Sequence, residues 1–295
     1  MSARHSPVCA ERDEVRRVPE KTARKLRELA ERYETASFSD GDPSFILKRY
    51  KAVADVECSA FVAAVLAFGR RDQFLPKIER IFAEADKHGG PEKWLKSGSY
   101  ASFGAAVSGS MGGDSPRSGA GSHAKSSAEK KFYRFYSYSD MICLFARLAE
   151  ILEKYGTLGN CIRQLYERGR SECAAQTAHT PAERLLFALE SAFSGCRVVP
   201  QGKTSAAKRL CMFLRWMVRR DSPVDTGLWS WAQPKDLIIP LDTHVLQESV
   251  KMGLLPEKAG ATLKTALTLT SELKEIWPDD PCKGDFALFG LGVDN

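Results

Sequence analysis

The sequence of 295 residues lacks the cysteine and histidine clusters that bind zinc or iron–sulfur groups. Its eight cysteines are scattered, none belongs to a C-x-x-C pair, and most lie among apolar residues with helical spacing. Cysteines of this kind behave as small buried hydrophobic residues in a reducing compartment. We therefore expect no bound metal and no other cofactor.

Long apolar segments are absent too. No uninterrupted apolar run approaches the ~20 residues that a membrane-spanning helix needs, which argues against an integral membrane protein. Residues 1–19 are polar and carry no apolar segment of the kind found in secretory signals. We interpret them as a polar N-terminal arm and expect a cytoplasmic protein without a membrane partner.

The composition leaves the function broad. Apolar residues make up 43% of the sequence and charged residues 27%, which is typical of a globular protein. The 43 basic and 37 acidic residues leave a formal net charge of +6. A mildly basic chain permits a polyanionic partner without requiring one.

Strand patterns are scarce. The short runs VVP at 198–200 and LIIP at 237–240 have the composition of strands, but each ends at a proline. Helical periodicity recurs along the chain, in the segments 20–35, 55–68, 73–87, 139–155, 159–169 and 181–193. The sequence therefore predicts an all-α protein.

One segment differs in kind from its surroundings. Residues 104–130 are rich in glycine, serine and alanine and contain no aromatic residue. Such a segment cannot bury enough apolar surface to order itself, so we predict a flexible insertion. Residues 20–295, which contain this insertion, are predicted to form a single domain.

A basic stretch lies in the last third of the chain. Between Lys203 and Arg220 there are six basic residues and no acidic one. Apolar residues recur there at helical spacing, and Lys208, Arg215 and Arg219 share another face. A helix that is positive along one side suits a phosphate backbone. A solvated basic face is the alternative interpretation.

A carboxylate precedes the next helical pattern. Asp242 follows the apolar run that ends at Pro240 and stands where a helix N-cap is expected. Its function can be capping alone. A carboxylate held at a helix N-terminus can also stabilise a developing cation or help to activate a nucleophile. His244, on the first turn, is a packing residue or a further site residue.

These segments carry a family resemblance. VVPQGKTSAAKRL at 198–210, followed by PLDTHV at 240–245, resembles the helix-hairpin-helix (HhH-GPD) DNA glycosylase superfamily, and DFALFGLG at 285–292 resembles its closing helix. The sequence is more closely similar to the DUF2400 family, through AFVAAVLAFGRR at 60–71, KFYRFY at 131–136 and LIIPLDTHV at 237–245.

The superfamily resemblance implies a two-lobed helical glycosylase-like fold and two catalytic residues. Lys208 matches the lysine that opens the second helix of the hairpin, and Asp242 matches the catalytic aspartate. Lys203 is a competing assignment for the nucleophile. The implied partner is double-stranded DNA, bound by a monomer.

Further residues are expected to contact DNA or a flipped base. Candidates for DNA binding are Gly202, Lys203, Thr204, Arg209, Arg215, Arg70 and Arg71. Candidates for the base pocket are Trp229, Trp231, His244 and Asp285. The tryptophans can equally be core anchors.

The implied function is base excision repair. A glycosylase with abasic-site lyase activity removes a damaged base, such as an oxidised purine, through a lysine nucleophile and a catalytic aspartate. The alternative is a catalytically inactive helix-hairpin-helix protein that binds nucleic acid. Two departures from the superfamily pattern favour that alternative. The hairpin has a single glycine, Gly202, and the segment at 69–73 reads GRRDQ. An interaction scaffold is the third interpretation.

Overall fold

The computed structural model describes residues 17–105, 130–172, 179–201 and 205–294. Within these ranges the protein is all-α. Its helices are α1 (Glu20–Tyr33), α2 (Val53–Leu66), α3 (Arg71–Lys87), α4 (Pro91–Lys96), α5 (Tyr138–Tyr155), α6 (Leu158–Glu172), α7 (Pro181–Ala192), α8 (Lys208–Val218), α9 (Thr243–Lys251), α10 (Leu263–Ile276) and α11 (Lys283–Asp294). Most of the predicted arm at 1–19 and insertion at 104–130 lies outside the described residues.

Local sequence signals set several helix boundaries. Ser137 and Thr180 are the N-caps of α5 and α7, and each forms a capping box. The cap hydroxyl accepts a hydrogen bond from the amide of the third helical residue, Asp140 or Glu183. The carboxylate of that acidic residue accepts one from the backbone amide of the cap. Asp42 caps the 3₁₀ helix Pro43–Lys48 by accepting a hydrogen bond from the Ser44 amide at 3.0 Å. These caps satisfy amides that have no partner inside the helix, and α5 and α7 begin within one residue of the predicted starts at 139 and 181.

The core is organised around α2. Twelve of its fourteen residues are buried, as expected from a segment that is apolar on nearly all sides. The Phe61 ring stacks on Phe193 with ring centroids 4.1 Å apart and meets Phe213 edge-on at 5.1 Å. Because α2 also packs against α3, α4, α6 and α8, it joins the helices on both sides of the 106–129 segment.

The two ends of the described chain pack together. α11 lies against α1 and α9. Glycines make these contacts close: a side-chain carbon at Gly290 would overlap the Tyr33 ring, and one at Gly292 would lie 2.8 Å from the His244 Cβ. The C-terminal helix is thereby seated beside the start of α9.

The strands of the described residues form one hairpin, and they are not the segments that the sequence suggested. β1 (Lys131–Tyr133) pairs antiparallel with β2 (Tyr136–Ser137). Residues 198–200 and 237–240 are irregular instead. The Val199 amide donates to the Cys196 carbonyl in a turn, and the Ile239 amide donates to the Thr270 hydroxyl, so neither joins a sheet. Among the described helices, none has the length and apolar character needed to cross a bilayer.

Candidate functional site

A cleft of about 760 Å³ lies where several parts of the chain meet. Its walls come from the link between α2 and α3, from the approach to α8, from the start of α9 and from the end of α11. Polar and charged side chains in its lining are Asp42, Arg71, Ser205, Lys208, Arg209, Asp242, Thr243 and His244. Such a concave surface with converging polar groups is the usual form of a binding site.

Lys208 enters the cleft as the first residue of α8. The residue before it, Ala207, has a left-handed backbone with φ of 47°, which turns the chain sharply into the helix. The Ser205 hydroxyl supports this turn by accepting a hydrogen bond from the Ala207 amide at 3.2 Å. The α8 helix therefore starts five residues after the beginning of the basic stretch, and its start places the lysine at the cleft.

Asp242 enters the cleft as the N-cap of α9. Its Oδ1 accepts a hydrogen bond from the Val245 amide at 2.9 Å, which confirms the capping role expected from the sequence. The other carboxylate oxygen, Oδ2, lies 3.9 Å from the Lys208 Nζ. The Lys208 side chain is 30% exposed and that of Asp242 is 18% exposed, so solvent reaches both groups from the cleft.

The Lys208–Asp242 pair joins an amine and a carboxylate at one wall of the cleft. A lysine beside an acid can act as a nucleophile whose proton the acid accepts, and an ionised carboxylate can stabilise a cation that develops in a substrate. The distance leaves the amine free of a short hydrogen bond to this acid. Both groups can therefore contact one molecule bound in the cleft.

Arg71 and His244 both line the cleft and both lie near the Phe289 ring. The exposed Arg71 side chain places its guanidinium 5.7 Å from the centre of the Phe289 ring, and the His244 ring meets the same phenyl ring edge-on at 5.9 Å. Gly292 allows α11 to come this close to His244. The structure thus brings Arg71 and His244 to the lining that Lys208 and Asp242 share.

Arg209 belongs to the same wall but is already engaged. Its guanidinium donates hydrogen bonds to the Val65 carbonyl and, at 3.2 Å, to the Tyr136 hydroxyl. It also lies 4.7 Å from the centre of the Phe68 ring. Arg209 therefore ties α8 to the end of α2 and to the hairpin while keeping part of its surface in the cleft.

The predicted basic face of α8 is wrong beyond Arg209. Arg215 and Arg219 are 3% and 1% exposed and form a buried cluster with carboxylates. Arg219 Nη1 donates to Asp225 Oδ2 at 2.6 Å, and its Nη2 donates to Glu34 at 2.8 Å and to Asp280 at 2.8 Å. Arg215 therefore cannot contact DNA. The sequence spacing placed the arginines on one face, but acids from distant segments cover that face.

Asp285 lies within the buried cluster rather than in a base pocket. It accepts a hydrogen bond from Arg215 Nη1 and is 6% exposed. Burial raises the pKa of Asp285 to about 6, and the charge of Arg215 opposes this rise. The charge of Asp242 raises the pKa of Asp285 further, and the charge of Lys208 lowers it. Asp285 is therefore electrostatically coupled to the two residues in the cleft.

The tryptophans are core residues. Trp229 is 1% exposed, and its Nε1 donates to Glu57 Oε1 at 2.7 Å. Trp231 stacks on Trp229 with ring centroids 5.4 Å apart, and neither ring lines the cleft. The prediction that they contact a flipped base is therefore wrong, and the core-anchor alternative is confirmed.

The remaining DNA-binding candidates divide into two groups. Arg70 is exposed and forms an ion pair with Asp72 at 2.8 Å; it does not line the cleft, although its neighbours Gly69 and Arg71 do. Gly202, Lys203 and Thr204 lie outside the described residues. They remain predictions.

Sequence reasoning missed the aromatic side of the site. Phe68 and Phe289 line the cleft, and Asp42 adds a second carboxylate besides Asp242. The local sequence of Asp42 fits a helix cap, but nothing in it placed this residue near Asp242. Three or more metal-ligating side chains do not cluster anywhere in the described ranges.

A family model described as "Protein of unknown function (DUF2400)" matches residues 42–294, which include every element that lines the cleft. The chain belongs to the DUF2400 family. No curated protein matches the chain, and no solved structure matches it. In this DUF2400 protein the matched region begins at the Asp42 cap and ends in α11.

Proposed function

We propose that this DUF2400 protein is a DNA glycosylase with abasic-site lyase activity, in which Lys208 is the nucleophile and Asp242 the catalytic carboxylate. The proposal is carried by the position of the Lys208 amine, 3.9 Å from Asp242 Oδ2 in a cleft open to solvent. The resemblance of the surrounding segments to the helix-hairpin-helix glycosylases supports the same pair.

The chemistry requires an extruded nucleotide, because the bond to the base is hidden inside the duplex. The neutral Lys208 amine attacks the anomeric carbon of the sugar, the base leaves with the bonding electron pair, and one proton of the alkylated nitrogen passes to the base. Asp242 stays ionised and stabilises the positive charge that develops on the sugar. The sugar ring opens as its oxygen takes up a proton from solvent, which leaves a protonated Schiff base on Lys208. This Schiff base loses a proton from the adjacent carbon and releases the 3′ phosphate.

The surface around the cleft supports a polyanionic substrate. Arg71 and Arg209 line the cleft, and Arg70 is exposed beside it. Guanidinium groups at these positions can position phosphates without reading base sequence.

Borohydride trapping tests the proposal. Duplexes containing an abasic site, 8-oxoguanine, uracil or an oxidised pyrimidine are incubated with the full chain and sodium borohydride, which reduces a Schiff base to a stable covalent adduct. We expect an adduct with at least one substrate, and its loss in Lys208→Arg, which keeps the positive charge. Lys203→Ala is the matched control and should still form the adduct.

Two outcomes contradict the proposal. An adduct that persists in Lys208→Arg and disappears in Lys203→Ala would identify Lys203 as the nucleophile instead of Lys208. No adduct on any substrate, with salt-sensitive duplex binding retained, would identify a non-enzymatic DNA-binding protein.

A further inference from the structure

The hairpin of β1 and β2 presents an exposed aromatic side chain at its turn. Phe135 is 53% exposed, although the aromatic residues on either side of the turn, Tyr133 and Tyr136, are buried. Arg134, the residue before it, has a left-handed backbone with φ of 49°, which makes the reversal tight. The turn therefore presents a large apolar ring to solvent, between two buried tyrosines that hold it in place.

The hairpin is anchored at the rim of the cleft. The Tyr133 hydroxyl donates to the Phe68 carbonyl, and the Tyr136 hydroxyl donates to the Val198 carbonyl at 3.1 Å. A side-chain carbon at Gly69 would lie 2.5 Å from Arg134 Nη1 and 2.9 Å from the Tyr133 hydroxyl oxygen. The hairpin therefore sits directly on the end of α2, and its tip has a fixed position.

The exposed ring lies next to the cleft. The Phe135 ring centroid is 5.3 Å from that of Phe68, which lines the cleft. A shallow groove of about 410 Å³ runs along Phe135, and Pro200 and Arg209 line both this groove and the cleft. A polymer bound in the cleft can thus continue across the hairpin tip.

The surroundings of the tip are basic. Lys130, Lys131 and Arg134 are exposed on the hairpin, and the Arg197 side chain in the groove is 66% exposed. The acid nearest to Arg197, Asp140, lies 3.6 Å away and is used as the α5 capping-box residue. An aromatic ring framed by cations matches the bases and phosphates of a nucleic acid.

We propose that Phe135 is a wedge that enters duplex DNA at the gap left when a nucleotide is drawn into the Lys208–Asp242 cleft, while Arg134 and Arg197 hold the flanking phosphates. The inference rests on the proposed function for the identity of the polymer. Apolar side chains inserted between base steps partly unstack them, and contacts across the distorted duplex offset that cost. The ring stacks on the base opposite the gap, which stabilises the extruded state.

The test measures binding and base unstacking without requiring catalysis. Duplexes carry a tetrahydrofuran abasic-site analogue opposite 2-aminopurine, and the reference is the same duplex without the abasic analogue. Phe135→Ala should weaken binding to the abasic duplex by about tenfold, in the range of one base–aromatic stack, and should abolish the 2-aminopurine fluorescence change. Phe135→Trp should preserve both. Val53→Ala, which removes an exposed apolar side chain at the other end of α2, is the control and should change neither.

The outcomes separate the wedge from the chemistry. Equal binding and an equal fluorescence change in wild type and Phe135→Ala would overturn the wedge, even if the Lys208 adduct forms. A Phe135-dependent fluorescence change without any borohydride adduct would retain the wedge and reject the lyase. Absence of duplex binding by the wild-type protein would overturn both.

Discussion

The Lys208 amine faces the Asp242 carboxylate because each residue stands at the start of a helix, α8 and α9, and both starts point into one cleft. A carboxylate is stabilised at a helix N-terminus, whereas a cation there is destabilised by the helix dipole. The placement of Asp242 is therefore explained by capping. The placement of Lys208 is not explained by helix stability, and this favours a chemical role for the amine.

Asp242 has two roles that substitutions can separate. Asparagine caps helices as well as aspartate does, so Asp242→Asn should keep the thermal stability of the wild type. It should slow base excision and strand cleavage by at least about a hundredfold, because the charge opposite the developing cation is lost. Single-turnover assays on the substrate identified by trapping, with thermal unfolding as a parallel measurement, test both expectations.

Asp242→Ala is the companion variant. It should lose the same activity and about 1 kcal/mol of stability, because the cap to the Val245 amide is gone. Full activity in Asp242→Asn would show that the carboxylate serves as a cap alone.

Arg71 is expected to contact one phosphate of the DNA backbone. Arg71→Ala should weaken binding to undamaged duplex at all sequences and reduce the magnitude of the slope of log K against log salt by about 1. Fluorescence anisotropy titrations over a series of salt concentrations measure this slope. Arg24→Ala removes an exposed arginine from α1, outside the cleft lining, and should leave the slope unchanged. Equal slopes for wild type and Arg71→Ala would remove Arg71 from the interface.

Arg219 is expected to stabilise the fold and not to bind DNA. Arg219→Met leaves the buried carboxylate of Asp225 and those of Asp280 and Glu34 without this partner. Removal of one side of a buried ion cluster costs about 3–5 kcal/mol, to be measured by urea unfolding. Arg32→Met, which breaks an exposed pair with Asp294, should cost less than about 1 kcal/mol. A stable Arg219→Met variant with weakened DNA binding would contradict the buried position.

Glu190 makes the stability depend on pH. This residue of α7 is 8% exposed, and its side chain has no hydrogen-bond or ion-pair partner in the described part of the chain. Burial raises the pKa of Glu190 from 4.5 to about 7. Because the folded state binds this proton more tightly than the unfolded state, the contribution of Glu190 is most favourable below pH 4.5 and is lost as the pH rises through about 7.

The substitution Glu190→Gln removes this dependence. Between pH 5 and pH 8 the wild type should lose about 2.5 kcal/mol of unfolding free energy relative to Glu190→Gln, because the two pKa values differ over this range. Urea unfolding at both pH values measures it. Glu153→Gln, at an exposed position of α5, is the matched control. Parallel pH profiles for wild type and Glu190→Gln would show that Glu190 finds a partner.

The helices were predictable because their signals are local. The apolar character of α2, the capping residues Ser137 and Thr180 and the Asp242 cap all act within a few residues of the chain. The hairpin was not predicted as strands, since its pairing joins only a few residues and its docking depends on Phe68 and Gly69, far away in the sequence. The burial of Arg215 and Arg219 was not predictable from local sequence either, because the acids that cover them come from distant segments.

The sequence by itself determined the all-α class, the main helix starts and the two residues proposed for catalysis, because periodicity, caps and the family resemblance are carried by short segments. The tertiary structure decided which charges face solvent. Arg215 and Arg219 share a side of α8 with Lys208 in any helix, but acids from three other regions of the chain enclose those two arginines and leave the lysine in the cleft. Burial of a charge depends on partners brought together by folding, and no local pattern contains that information.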